Sequence, residues 1–340
     1  MEGSKVTTAF LGLIVLFIGG VLLWLAKPVL FPFFIAIFLS FILYPILDFA
    51  TRLKIPKPLS ILFILIITFF VLYLLGVLFY SSGKTFASEF PNYGQKISSI
   101  LESLQEKFKL TSFEWDPLEW VNQLDISKIG SFLLASFGPF FSFISNLFLI
   151  LIFLIFILAG RGNTKTKIKN SFDKKRSSKI IDVIQKIDNQ IQKYLAIKTV
   201  VSFATGVMVT IVLLIFGLDF AILFGFLAFV LNYIPNIGSI IATAFPVIIA
   251  VFQFGTIWPA FWILIILIVI QMTMGNFVEP KLMGYGLGLS PLVVLFFLFF
   301  WGWLWGIPGM ILAVPIAAIV KIVCNNVPSL RFVSELMSKG

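Results

Sequence analysis

Long uninterrupted runs of apolar residues constrain this chain more than any other feature. Three of them open the sequence, at 7–26, 29–47 and 59–80. About 20 consecutive apolar residues are enough for a helix to cross the hydrocarbon core of a bilayer. Only 12% of the residues are charged, whereas soluble domains average about 25%. The sequence therefore predicts an all-α membrane protein with several spanning helices, whose first run is retained as a span and not cleaved as a signal peptide.

Composition excludes several kinds of functional site. The chain has a single cysteine, Cys324, and no histidine, which excludes an internal disulfide and metal centres built from Cys or His. The phosphate-binding pattern GxxxxGK[ST] does not occur, so ATP is not the direct driver of any activity. We predict that the protein is not an enzyme and that it uses no cofactor or metal.

The net charge of +10 is unevenly distributed. Segment 160–198 holds eleven Lys and Arg against three Asp, while segment 80–140 holds five Lys against seven acidic residues. A basic segment can bind nucleic acid, but cytoplasmic loops of membrane proteins also collect Lys and Arg. This basic segment lies directly between two spans. We therefore predict membrane lipid and not nucleic acid as its partner, with both chain termini cytoplasmic and segment 80–140 outside.

The apolar runs and the charges divide the chain into successive regions. The predicted regions are a three-span region at 1–80, an extracytoplasmic helical segment at 81–139, a fourth span at 140–159, a basic amphipathic segment at 160–198, a C-terminal core at 199–324 and a cytoplasmic tail at 325–340. In the outer segment, helices are predicted to begin at Pro91 and Asp116. The basic segment is predicted to lie at the lipid headgroups, or alternatively to bind a regulatory partner.

The C-terminal core contains two apolar blocks that are interrupted near their centres. Blocks 220–254 and 291–324 are each too short for two full crossings and too broken for one, which favours re-entrant hairpins. Each block follows a span, giving the units 199–254 and 257–324. The first unit starts inside and the second starts outside, which is the arrangement of an inverted repeat. Paired interrupted segments of this kind indicate the binding site of a secondary transporter, where the two hairpins are expected to meet near mid-membrane.

The two interruptions supply the first set of candidate site residues. A helix opened in hydrocarbon leaves backbone amides and carbonyls unpaired, at several kcal/mol each, unless protein or water surrounds them. The substrate-binding candidates are Asn232, Pro235, Asn236 and Gly238 in the first break, Gly306, Pro308 and Gly309 in the second, and Gln271 between them. The alternative is that the first break is a tight turn capped by its own asparagines.

The few polar residues beside the hairpins supply the gate and ion-coupling candidates. These are Asp219, Asn276, Glu279 and Lys281. Asp219 is either a buried cation or proton site or an ordinary loop residue. Glu279 and Lys281 either pair as an inner gate or lie in a hydrated turn. The cluster of Trp301, Trp303 and Trp305 is predicted to form an interfacial belt and not a ligand cage.

Three stretches of the core resemble one known family. They are GLDFAILFGFLAFVLNYIPNIGSIIA, GNFVEPKLMGYGLGLSPLVVL and WGWLWGIPGMILAVP, and the resemblance extends to PNY at 91–93 and KYLAIKT before the fifth span. Their order is similar to that of the autoinducer-2 exporter superfamily, the AI-2E family of predicted permeases. Asn236 stands where many relatives have an aromatic residue. The resemblance implies a multi-pass protein of the bacterial cytoplasmic membrane with re-entrant hairpins, which forms a homo-oligomer, with a pentamer as the expected form.

Three functions are compatible with these patterns. The first is export of a small hydrophilic molecule such as autoinducer-2, coupled to an ion gradient. The second is sodium–proton antiport, which the resemblance also implies for some members and which requires a carboxylate that loads and unloads. The third is a membrane scaffold without transport activity, although a scaffold gains nothing from paired intramembrane breaks.

Overall fold

Helices make up nearly all of the chain that the structure describes. This structure, a computed structural model, describes residues 14, 18–108, 146–160, 164–284 and 287–338. Its helices are α1 (Lys27–Arg52), α2 (Lys57–Phe108), α3 (Leu147–Gly160), α4 (Thr164–Ser171), α5 (Lys174–Ile215), α6 (Ala221–Leu231), α7 (Ile237–Phe254), α8 (Ile257–Met272), a π-helical segment (Thr273–Val278), α9 (Glu279–Met283), α10 (Pro291–Trp305), α11 (Ile307–Asn326), a 3₁₀ turn (Pro328–Leu330) and α12 (Arg331–Leu336). Within these residues there is no β-strand, and Leu289 and Ser338 form an isolated antiparallel bridge. The predicted all-α class is confirmed.

Six of the described helices are long and apolar enough to cross a membrane, or up to seven if α3 and the bent helix after it count as one span. Helices α6 and α10 are shorter, with 11 and 15 residues. At about 1.5 Å per residue they reach about 16 and 22 Å, less than the about 30 Å of a hydrocarbon core. The chain is therefore a multi-pass membrane protein in which each interrupted block begins with an arm too short to span.

Two predicted helix boundaries differ from the structure. The basic segment and the fifth span form one helix, α5, because residues 174–215 contain no proline and only one glycine, Gly206. A separate helix lying at the headgroups is therefore not observed. Likewise α2 continues through residues 81–90, which contain no proline, so the span and the outer helix predicted from Pro91 are continuous. Of the first predicted span at 7–26, the structure describes residues 14 and 18–26, and 18–25 are helical. The helix predicted from Asp116 lies entirely outside the described residues.

The chain forms two compact units. Two of the four boundaries between them fall inside helices, one in α2 and one in α5. The first unit contains residues 1–66, 146–195 and 285–340, and the second contains 67–145 and 196–284. The hairpin α6–α7 and helix α8 belong to the second unit, whereas the hairpin α10–α11 belongs to the first. The second predicted repeat, 257–324, is thus divided between the two units.

In the first unit, α1 packs along α3 and also contacts α11, which in turn packs on α10 and α12. The α1–α3 contact buries Ala36, Ile150 and Leu154, and the rings of Phe33 and Phe153 lie 5.4 Å apart. At the end of α3, Lys57 Nζ donates to the carbonyl of Ala159 at 2.9 Å. A lysine in this position satisfies a terminal carbonyl and offsets the negative end of the helix dipole.

In the second unit, α7 packs against both α6 and α8. A small-residue contact joins α5 to α6: a Cβ on Gly225 would lie 2.7 Å from the carbonyl oxygen of Gly206 and 1.7 Å from the Oγ1 of Thr210. The two helices can approach this closely only because no side chain stands between them. Gly217 lies in the turn before α6 with φ +66°.

Candidate functional site

The first interruption is a five-residue turn between α6 and α7. Asn236 adopts φ 59° and ψ −54°, a backbone conformation that asparagine tolerates better than most residues. Pro235 has no N–H to donate, and its carbonyl accepts from Ile237 at 2.7 Å. Gly238 begins the return: a Cβ there would lie 1.8 Å from the carbonyl oxygen of Leu231. The turn therefore depends on a glycine at 238, as well as on the proline before it.

The turn is anchored on α5 by two side-chain hydrogen bonds. Asn232 Nδ2 donates to Ser202 Oγ at 2.9 Å, and both residues are buried. Tyr233 Oη donates to Thr199 Oγ1 at 2.7 Å. Asn232 is therefore not a cap of its own turn: it binds a hydroxyl on another helix. Asn236 is exposed at the turn, and its carbonyl accepts from Ser239 Oγ at 2.8 Å.

A polar stripe on α5 faces these residues, and sequence reasoning missed it. Its members are Lys198, Thr199, Ser202 and Thr205, of which Ser202 and Thr205 are fully buried. Spacings of three and four residues place these side chains on one face of the helix. Polar residues that recur at these spacings within an otherwise apolar span are the sequence signal that identifies the stripe.

Glu279 forms an ion pair with the buried Lys198. The Nζ of Lys198 lies 2.7 Å from both carboxylate oxygens, and Lys198 is only 5% exposed. Lys281, the predicted gate partner of Glu279, is exposed. The predicted Glu279–Lys281 pair is therefore replaced by a contact between residues 81 positions apart. No local pattern can reveal such a pair, because it depends on how α5 and α9 pack.

Glu279 follows directly on the π-helical segment Thr273–Val278. The chain stays helical from Ile257 to Met283, so Glu279 and Lys281 lie on a short helix. A π-helical turn accommodates an extra residue and often lies at a functional site. Within this region Gln271 is half-buried and Asn276 is exposed. The π turn thus sets the rotation at which Glu279 faces α5.

Asp219 lies in the exposed turn before α6, as its loop interpretation expects. Gln253, near the end of α7, holds this turn. Its Oε1 accepts from the backbone N–H of Asp219 at 2.7 Å, and its Nε2 donates to the carbonyl of Gly217 at 2.8 Å. The side chain of Gln253 therefore links the end of α7 to the turn before α6.

The second interruption is sharper than the first. A single residue, Gly306, separates α10 from α11 with φ 76° and ψ −152°. Pro308 lies in the first turn of α11, where its missing N–H has no helical partner to lose. Gly309 packs on α10 so closely that a Cβ would lie 2.0 Å from the carbonyl oxygen of Trp301. The polar groups of this second interruption are those of the backbone and of the neighbouring tryptophans.

The tryptophans beside this turn do not form a single belt. Trp303 is 77% exposed, whereas Trp301 and Trp305 are 8% and 2% exposed. The rings of Trp301 and Trp305 lie 4.6 Å apart, and Phe34 of α1 lies 5.1 Å from Trp305. Only Trp303 therefore suits the predicted interfacial position. Residues 301 and 305 share the opposite face of α10, since residues four apart lie one above the other.

Among the described residues no group of His, Cys, Asp and Glu could hold a metal ion. The candidate residues fall into two separate sets. The second unit contains Asp219, Asn232, Pro235, Asn236, Gly238, Gln271, Asn276, Glu279 and Lys281; the first contains Gly306, Pro308 and Gly309. In the second unit, the structure brings Asn232 against Ser202 and Glu279 against Lys198.

Comparison with known proteins gives the family. A family model described as AI-2E family transporter matches residues 11–329. The chain belongs to the AI-2E transporter family. The AI-2 transport protein TqsA of Escherichia coli K12 is 30% identical over 338 residues, covering 99% of this chain and 96% of that protein. A protein of Borreliella burgdorferi, provisionally named a transport protein, is 36% identical over 330 residues, covering 96% of this chain and 88% of its own length. A similarly named protein of Haemophilus influenzae is 36% identical over 314 residues, covering 90% and 88%.

Membership of the AI-2E family assigns a transport role to this chain. The helix lengths and the family agree on a multi-pass membrane protein. The α5 stripe and its hydrogen-bond partners place polar groups within an otherwise apolar span.

Proposed function

We propose that this AI-2E family member is a secondary transporter that exports a small hydrophilic molecule, such as AI-2, using an ion gradient. One observation carries the proposal: the tip of an intramembrane hairpin presents Asn232 to a buried polar stripe on α5. Burying an amide and hydroxyls in apolar surroundings is unfavourable unless they are hydrogen-bonded. A hairpin serving only as packing would be more stable with apolar residues there.

The bonds at this tip are suited to exchange with a solute. Asn232 and Ser202 each have further donor or acceptor capacity beyond their mutual bond. A hydroxyl of a solute, which both donates and accepts, can therefore insert between the two side chains without leaving an unpaired buried group. The name of the E. coli relative supports AI-2 as the first solute to test. The absence of a GxxxxGK[ST] loop supports an ion gradient and not ATP as the energy source.

The charge distribution supports a location in the bacterial cytoplasmic membrane with both termini inside. The basic residues of α4 and of the start of α5 then face the cytoplasm. Assembly as a homo-oligomer, with five subunits as the expected number, belongs to the same proposal and rests on the family resemblance.

The proposal is tested by measuring AI-2 movement in proteoliposomes with and without imposed proton and sodium gradients. We expect saturable movement of AI-2 that one of the gradients accelerates. The matched control is protein-free vesicles of the same lipid under the same gradients. Movement of AI-2 at the protein-free rate under every gradient would contradict the proposal.

Sodium–proton antiport is the second candidate, favoured by the buried Lys198–Glu279 pair. Of the two candidate carboxylates, Glu279 is largely shielded from solvent and faces a positive charge, whereas Asp219 is exposed. In the same vesicles, Glu279→Gln should abolish sodium-dependent proton movement if antiport is the activity. Asp219→Asn is the control and should retain it. Retention in both variants excludes a carboxylate role.

A further inference from the structure

The indole N–H groups of Trp301 and Trp305 are buried, and no described residue offers either of them a hydrogen-bond acceptor. Both lie on the buried face of α10, within two turns of Gly306. Buried tryptophan N–H groups usually have a partner. Two unpaired donors on neighbouring, contacting rings therefore require an explanation.

Packing alone does not account for tryptophan at these positions. Leaving a buried donor without an acceptor is unfavourable, whereas an apolar ring of similar shape is neutral or stabilising at the same place. Phe34 and Phe300 already contribute rings to this cluster. A function that uses the donors explains why two N–H groups are present where a hydrocarbon ring would suffice.

The surroundings specify what kind of acceptor group the two N–H donors would bind. Residues 291–320, which contain α10 and most of α11, include no charged residue. A permanent ion in such surroundings would lack a counter-charge and would be strongly disfavoured. An indole N–H is a donor only, so the matching group is an oxygen acceptor on a neutral molecule. The faces of the aromatic rings can pack against the apolar parts of such a molecule.

We propose that Trp301 and Trp305 form a binding subsite that donates hydrogen bonds to the transported solute, and that this solute is neutral and rich in oxygen acceptors. The inference rests on the proposed transport function and adds a solute class and two binding residues to it. In the state described, both N–H groups are sealed from solvent, so the solute reaches them in another state of the transport cycle. Gly306, the only residue between α10 and α11, is the point at which that hairpin can bend.

The test removes each N–H and leaves the ring shape unchanged. Trp301 or Trp305 is replaced by 3-benzothienylalanine, in which sulfur takes the place of the indole N–H. We expect AI-2 export to fall about fivefold for each replacement, the effect of one hydrogen bond. We also expect the thermal unfolding temperature to stay the same or rise. The same replacement at Trp303, which is exposed on the same helix, is the control and should change neither quantity.

Several outcomes distinguish this subsite from a structural role. Unchanged AI-2 export after both replacements would overturn the inference while leaving the proposed function intact. A lower unfolding temperature that parallels the lost export would show that the N–H groups serve the fold, which also overturns it. If the wild-type protein does not move AI-2, the proposed function fails for that solute, and D-ribose becomes the neutral probe. Thermal stabilisation by ribose that the replacements abolish supports the subsite, and no stabilisation of the wild-type protein contradicts it.

Discussion

Replacing Lys198 by Met should lower the free energy of unfolding by about 3–5 kcal/mol, the usual effect of removing one partner of a buried ion pair. The reason is that the carboxylate of Glu279, which is largely shielded from solvent and bonded at 2.7 Å through both oxygens, would lose its counter-charge. Thermal or denaturant unfolding of the purified protein in detergent measures the change. The double variant Lys198→Met/Glu279→Gln should recover most of the loss, because neither charge then remains.

Lys193→Met is the matched control for this prediction. Lys193 lies on the same helix but is exposed, and an exposed charge contributes little to stability. We expect no more than a small change. Equal stability of the Lys198→Met and Lys193→Met proteins would show that the buried pair is not present in the folded protein.

Alanine at Gly238 or at Gly309 should prevent its hairpin from closing. A methyl group at either position would lie within about 2 Å of a backbone carbonyl oxygen, from Leu231 in one hairpin and Trp301 in the other. Backbone cannot yield as a flexible side chain does, so we expect a loss above the about 1–3 kcal/mol of ordinary overpacking. The measured quantity is the yield and unfolding temperature of folded protein.

Gly275→Ala and Gly160→Ala are the controls for these two variants. Both glycines are helical, and an added Cβ would meet nothing within 4 Å. They should be neutral or slightly stabilising, since alanine favours helix more than glycine does. If Gly238→Ala and Gly309→Ala behave like these controls, the two hairpins do not pack as described.

Hydropathy and helix-breaking residues were sufficient to predict the class of the protein and the places where its helices are interrupted. The turn at 232–236 and the break at Gly306 fall where proline and glycine enter apolar blocks. Such predictions succeed because a span needs only length and apolarity, and a break needs only a residue that disrupts the backbone hydrogen bonds of the helix.

Side-chain pairing across helices was not predictable in the same way. Lys198 is the last residue of the basic segment, and nothing near it in sequence indicates that α5 faces α9. The π turn at Thr273–Val278 changes the rotation of Glu279 and has no clear sequence signature. The placement of the α10 tryptophans, by contrast, was predictable from sequence. Helical periodicity alone places Trp301 and Trp305 opposite Trp303, so a single interfacial belt could not contain all three.

The role of the first hairpin tip in transport is tested most directly by AI-2 flux in proteoliposomes containing Asn232→Ala. We predict a fall of about tenfold or more, equivalent to about 1.4 kcal/mol, with no greater loss of stability than Ser202→Ala causes. Asn236→Ala, at the same turn, should also lower flux. Ser202→Ala removes the same hydrogen bond from the other side but keeps the amide, so it should retain more flux than Asn232→Ala. Wild-type flux in both asparagine variants would contradict the assignment of this tip as the transport site.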